Sequence, residues 1–221
     1  MRIREGFQEE IESLQRHLLA MGGLITEQIL GTMNAMLYRD NPLAEEVIDR
    51  DQQVIEYGVD VTEQCLQLLE FAGAEVGDLH FITTAMKIVA DLERIGAQAV
   101  NIARHALVLN RESHLKPLAD LPRVAERALN QVTESLNAFV RRDADLARPL
   151  CAGDPQADAL RDRILEELIS QITSNPRTTP RAIRIILITH FLERVADRAT
   201  NIAEMVVDMV EGKTILNRPL P

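Results

Sequence analysis

The chain has 221 residues, 46% of them hydrophobic and 26% charged, with a net charge of −10. That balance excludes wholesale disorder, and the acidic surplus argues against a protein that grips a nucleic-acid backbone. Aromatic residues make up 3% and Trp is absent, so the core must come from Leu, Ile, Val, Ala and Met, which suits packed helices and offers no base-stacking platform.

Helical periodicity runs through the chain and strand signals are nearly absent. Six helical segments are expected. The first covers 5–38 and ends at the turn of Asp40, Asn41 and Pro42. The second covers 43–72 and stops at Gly73. The third covers 78–109, with Asp78 as N-cap. A polar stretch at 110–117 ends on Pro117, and the fourth segment comes next at 121–141 with Asp120 as cap and Pro122 in its first turn. The fifth covers 144–174, but Pro149, Gly153 and Pro155 predict a break near 152–155, with Asp154 capping the helix beyond it. The sixth covers 180–211, with Thr179 as cap, Pro180 at its first position and Gly212 as its stop.

The chain repeats itself. FLERVADRATNIA at 191–203 shares seven of thirteen residues with DLERIGAQAVNIA at 91–103, an offset of 100. Residues 137–154 share seven of eighteen with residues 34–51, an offset of 103. The simplest account is an all-α fold of two tandem, pseudo-symmetric three-helix bundles, one over 1–112 and one over 113–221.

On a helical wheel of the sixth segment, Ile188, Leu192, Val195, Ala199, Ile202, Val206 and Met209 form the apolar stripe. His190, Glu193, Asp197, Asn201, Glu204, Asp208 and Glu211 fall on the far side, within a sector of roughly 80°. Glu193 and Asp197 are i,i+4 neighbours and repel by about 0.2–0.5 kcal/mol. Arg194 and Arg198 lie alongside and offset this in part, and a hard cation such as Mg²⁺, Mn²⁺ or iron would offset it better. Asp154 and Asp158 form a second acidic pair on the fifth segment. If that segment neighbours the sixth, four acids from two helices converge. In the first half the equivalents are Asp51 with Ile55 and Glu93 with Ala97, so both i+4 acids are missing. Acidic files on long helices are ordinarily solvated faces, and a scaffold without metal is the bland alternative.

Other motifs fail. GKT at 212–214 lacks the earlier Gly of a phosphate-binding loop and follows a helix, not a strand. No ExxH, HExxH or GxSxG occurs, which removes the ferritin-like di-iron pattern and leaves a carboxylate-bound metalloenzyme as the rival reading. His17, His80, His105 and His114 read as structural or exposed. Cys65 reads as a small buried hydrophobe, and the Met residues at 21, 33, 36, 86, 205 and 209 as core. Two cysteines without a CxxC indicate no disulfide framework and a reducing compartment. The opening MRIREGFQEEIE has no apolar core of a signal peptide, and the apolar-rich stretch 182–192 is too short to span a bilayer. A soluble cytoplasmic protein is expected.

MGG at 21–23, LAEEVIDRD at 43–51, GDLHFITTAMKIVADLERIG at 77–96 and LERVADRATNIAEMVVDMVEG at 192–212 resemble the PhoU family of bacterial phosphate-uptake regulators. The resemblance runs end to end. It implies two three-helix bundles and a non-enzymatic regulator between a phosphate ABC transporter, through its ATPase subunit, and a membrane sensor histidine kinase. Such a protein holds the phosphate-starvation response off when phosphate is plentiful. It also implies a homodimer, recruited to the inner face of the membrane by its partners without inserting, and bound metal (Mg, Mn, Fe or Zn) at E/DxxxD motifs. Carried over by position, the second motif is Glu193 with Asp197 and is intact. The first is Glu93 with Ala97 and is broken.

Overall fold

A computed structural model describes residues 2–71, 75–113, 115 and 120–212, with the side chains of 2–5 left aside. Gly73, His114, Pro117 and the last two residues of GKT at 212–214 lie outside the described residues. The helices are α1 (Arg2–Tyr38), α2 (Asn41–Asp49), α3 (Asp51–Leu69), α4 (Val76–Leu109), α5 (Leu121–Arg141), α6 (Ala144–Ala147), α7 (Pro155–Ser174) and α8 (Thr179–Glu211). No strand occurs among the described residues. The architecture is the expected pair of three-helix bundles: α1, α2 with α3, and α4, then α5, α6 with α7, and α8.

The expected helix over 43–72 is two helices. It breaks at Arg50, although DRDQQ contains neither Gly nor Pro. The repeat explains the break, because Arg50 stands at the register of Gly153, 103 residues later. There the expected interruption is present as a short 3-10 turn over Arg148–Ala152, and Asp154 then caps α7 by accepting from the N–H groups of Gln156 and Ala157.

The repeated Arg-Asp dipeptide makes the first turn of each half. Arg39 (φ 56°) and Arg142 (φ 52°) adopt the left-handed conformation that non-glycine residues rarely take. Asp40 and Asp143 come next, and their side chains cap α2 and α6. The Arg142 guanidinium lies 4.4 Å from the centre of the Phe81 ring and pairs with Asp78, which offsets the backbone cost. Asp78 is not the cap of α4. It sits three residues inside, in a reciprocal capping box with Glu75. Thr178, not Thr179, precedes α8, and Asp120 precedes α5 without a capping hydrogen bond from its side chain. Gly212 closes α8 in the left-handed region as expected (φ 65°).

The two halves meet where α4 packs on α8 and α1 packs on α5. Gly22 favours the second contact, because a Cβ there would fall onto the Leu136 side chain of α5 and force it to shift. Phe81 of α4 stacks on Phe139 of α5, with ring centres 4.4 Å apart. Met21, Met33 and Met36 are buried, as expected. Cys65 is fully buried, and burial pushes its thiol up to about 12, so it is an inert core residue.

Candidate functional site

The two acidic pairs of the second half converge. Asp154 and Asp158 of α7 and Glu193 and Asp197 of α8 line one cavity of about 120 Å³, closed on its third side by α5. The repeat register and the antiparallel course of α7 and α8 bring them there.

Three of the four acids already have an occupation. Asp154 caps α7 and also receives a forked pair of hydrogen bonds from Arg127, Nε at 2.7 Å and Nη2 at 3.1 Å. The Arg127 bonds, with help from the Gln156 and Ala157 N–H groups, hold its carboxyl below the usual carboxylate range. Glu193 accepts from Arg161 Nη1 at 2.5 Å, and His190 Nδ1 lies 3.2 Å from its other oxygen. Arg161 Nη1 also lies 3.1 Å from Asp158, and its Nη2 lies 2.9 Å from Asp162. Asp197 is the acid without a close arginine partner here, and loss of solvent together with Glu193 pushes its carboxyl up. Gln131 of α5 lines the same cavity, is buried, and its Oε1 finds no hydrogen-bond partner among the described residues.

This donor set, as arranged, does not fit a bound metal ion. A hard cation needs several oxygens turned onto one point. Among the described residues no three His, Cys, Asp or Glu side chains are gathered in that way. Three of the four expected donors, Asp154, Asp158 and Glu193, are turned onto guanidinium groups instead. In the first half, Asp51 opens α3 and Glu93 lies against Gly58, while Ile55 and Ala97 stand where further acids would be needed.

The acidic file of α8 also divides. Each four-residue step rotates about 40° around the helix, so successive members meet different neighbours. Glu193 and Asp197 face α7. Asn201, Glu204 and Asp208 instead face α4, around an open cavity of about 460 Å³ that Arg94 and Arg198 also line. Beside it, buried Asp91 of α4 pairs with Arg198 at 3.2 Å and Arg94 at 3.1 Å. Glu211 pairs with Arg148 at 2.6 Å. Arg127, Arg161 and Gln131 are the site residues that the helical wheel missed. For Arg161 a signal existed, since it stands in the repeat register opposite Gly58.

The PhoU domain family model matches residues 18–106 and again 121–206. The chain belongs to the PhoU family. The two PhoU segments start 103 residues apart and end 100 residues apart, the two offsets already present in the repeat. The phosphate-specific transport system accessory protein PhoU homolog of Pseudomonas aeruginosa is 35% identical over 214 residues, covering 96% of this chain and 88% of that protein. The phosphate-specific transport system accessory protein PhoU of Escherichia coli K12 is 29% identical over 94% of this chain and 86% of its own length. The crystal structure of PhoU from Pseudomonas aeruginosa superposes with a TM-score of 0.85 over 94% of this chain and all of that one, at 35% identity. The phosphate transport system regulatory protein PhoU of Streptococcus pneumoniae gives the same TM-score at 26% identity, covering 95% of this chain and 99% of its own.

Proposed function

We infer that this PhoU-family chain is a non-enzymatic accessory protein of a phosphate-specific transport system. It acts as an adaptor between the transporter's ATPase subunit and a sensor histidine kinase, and it holds the phosphate-starvation response off when phosphate is plentiful. The observation that carries this reading is the end-to-end likeness, in both PhoU segments, to a phosphate-specific transport system accessory protein. Three features of the chain support it. Three of the four acids of the α7–α8 cavity are engaged in ion pairs and caps, which suits a scaffold better than a reaction centre. The outer face of α3 carries exposed Ile55, Val59, Leu66 and Leu69, an apolar stripe of the kind used to meet other proteins. No helix among the described residues is long and apolar enough to cross a membrane, so the reading places the chain in the cytoplasm and brings it to the membrane through its partners.

The test is deletion of its gene in the native host, with a phosphate-starvation reporter read in phosphate-rich medium. Raised reporter expression that falls again on complementation is the expected result. A reporter that stays silent without the protein overturns the regulatory role.

A further inference from the structure

The two halves differ at one register position in a way that explains the missing metal geometry. Residues 154–171 of α7 align with residues 51–68 of α3 at an offset of 103, and the inward-facing positions agree: Ile164 with Val61 and Leu168 with Cys65, all buried. At the next inward position toward the N-terminus, the first half has Gly58 and the second has Arg161. Gly58 is buried, and a Cβ there would collide with the carboxylate of Glu93, the register equivalent of Glu193. In the first half, then, the glutamate fills the space over a glycine. In the second half an arginine side chain, 25% exposed, fills it and holds Glu193, Asp158 and Asp162 together.

The acids follow the arginine. Asp158, Asp162 and Asp197 are present in the half that has Arg161, and their equivalents Ile55, Val59 and Ala97 carry no charge in the half that has Gly58. A guanidinium presents five N–H donors in a rigid fork and cannot lose its charge, so it satisfies clustered carboxylates permanently. Its bulk also has a packing consequence. α3 packs closely on α4, whereas α7 lies more loosely on α8, and the cavity opens in that gap.

We propose that Arg161 is the built-in cation of the second-half acidic cavity, occupying with its guanidinium the place between Asp158 and Glu193 where a divalent ion would otherwise bind. The second half is therefore self-filled: its carboxylates are matched to a side chain of the same protein, and divalent ions are excluded by charge and by volume. Arg161 is the residue that sets this specificity, and removing it converts the cavity into a cation site.

The test uses the full chain, stripped with chelator and titrated with Mn²⁺, free Mn²⁺ being followed by electron paramagnetic resonance. Wild type is compared with Glu193→Gln, with Arg161→Gly, which copies the first half, and with Arg161→Gln, which keeps most of the bulk and removes the charge. Circular dichroism melts check that each variant is folded. Wild type and Glu193→Gln are expected to take up the same Mn²⁺, because Glu193 contributes no site. At least one of the Arg161 variants gains a site that binds Mn²⁺ about tenfold or more tightly than wild type does, since a positive charge has left the donors. Adding Glu193→Gln to that variant abolishes the gain. Two results overturn the proposal: Mn²⁺ bound by wild type and lost in Glu193→Gln, or folded Arg161 variants that gain no Glu193-dependent site.

Discussion

Asp197 shows what a single unpaired carboxylate contributes. It comes one helical turn after Glu193, and partial loss of solvent together with that neighbour raises its carboxyl above the ordinary range. The ionised form is therefore a cost to the folded state. That cost is fully present at pH values above the raised folded value. It fades as pH falls through that value and is gone below the unfolded value of about 3.9. Asp197→Asn should accordingly stabilise the protein at neutral pH by a few tenths of a kcal/mol, the scale of an i,i+4 like-charge contact. Thermal melts at a series of pH values should show the advantage shrinking toward acid. An advantage that grows toward acid would contradict the assignment.

At the scale of elements, α7 is the weakly held helix. Of its twenty residues only Ile164 and Leu168 are buried, whereas α3, the equivalent helix, buries Val54, Gly58, Val61, Cys65 and Leu68. Little apolar surface holds α7 down, so polar anchors matter more. Asp154 supplies two of them at its N-terminus, the cap and the Arg127 fork. Asp154→Ala should cost about 1–2 kcal/mol, mostly through the cap. Amide exchange should accelerate along α7 before the rest of the bundle. Because the carboxyl of Asp154 is held low, its stabilisation is present above the unfolded carboxylate value and is lost as pH falls through the lower folded value. Wild type and variant should therefore converge only in strong acid.

Across the whole molecule, the pseudo-symmetry is broken where the halves join. Asp91 of α4 reaches Arg198 of α8, but the register equivalents are Phe191 and Gln98, so no second bridge can form. Asp91 is nearly buried, which makes an unpaired charge there costly, while Arg198 is more than a third exposed and solvent screens it. Arg94 remains as a partial partner for Asp91. Arg198→Ala is expected to destabilise by about 1–2 kcal/mol, below the range for a fully buried pair. The check is a lowered urea midpoint with an unchanged slope.

Much of this was legible in the chain itself. The 3.6-residue apolar period, the Pro and Gly punctuation and the two offsets of 100 and 103 are local or self-referring signals, and they suffice for the long helices in two similar bundles, save the break at Arg50. That break is the instructive miss: no breaker marks it locally, and only its alignment with Gly153 betrays it. The meeting of Asp154, Asp158, Glu193 and Asp197 was also foreseeable, because helical spacing and antiparallel neighbours bring them to one side. What they bind was not. The sequence by itself determined the helices, their repetition and the side of α8 on which charge collects, since these depend on periodicity along one chain. Only the tertiary structure decided that Arg127 and Arg161 claim the acids, that half the file turns to α4, and that Asp91 ties the halves together. Those outcomes depend on which helices lie side by side and how closely they approach, and periodicity along one chain carries neither.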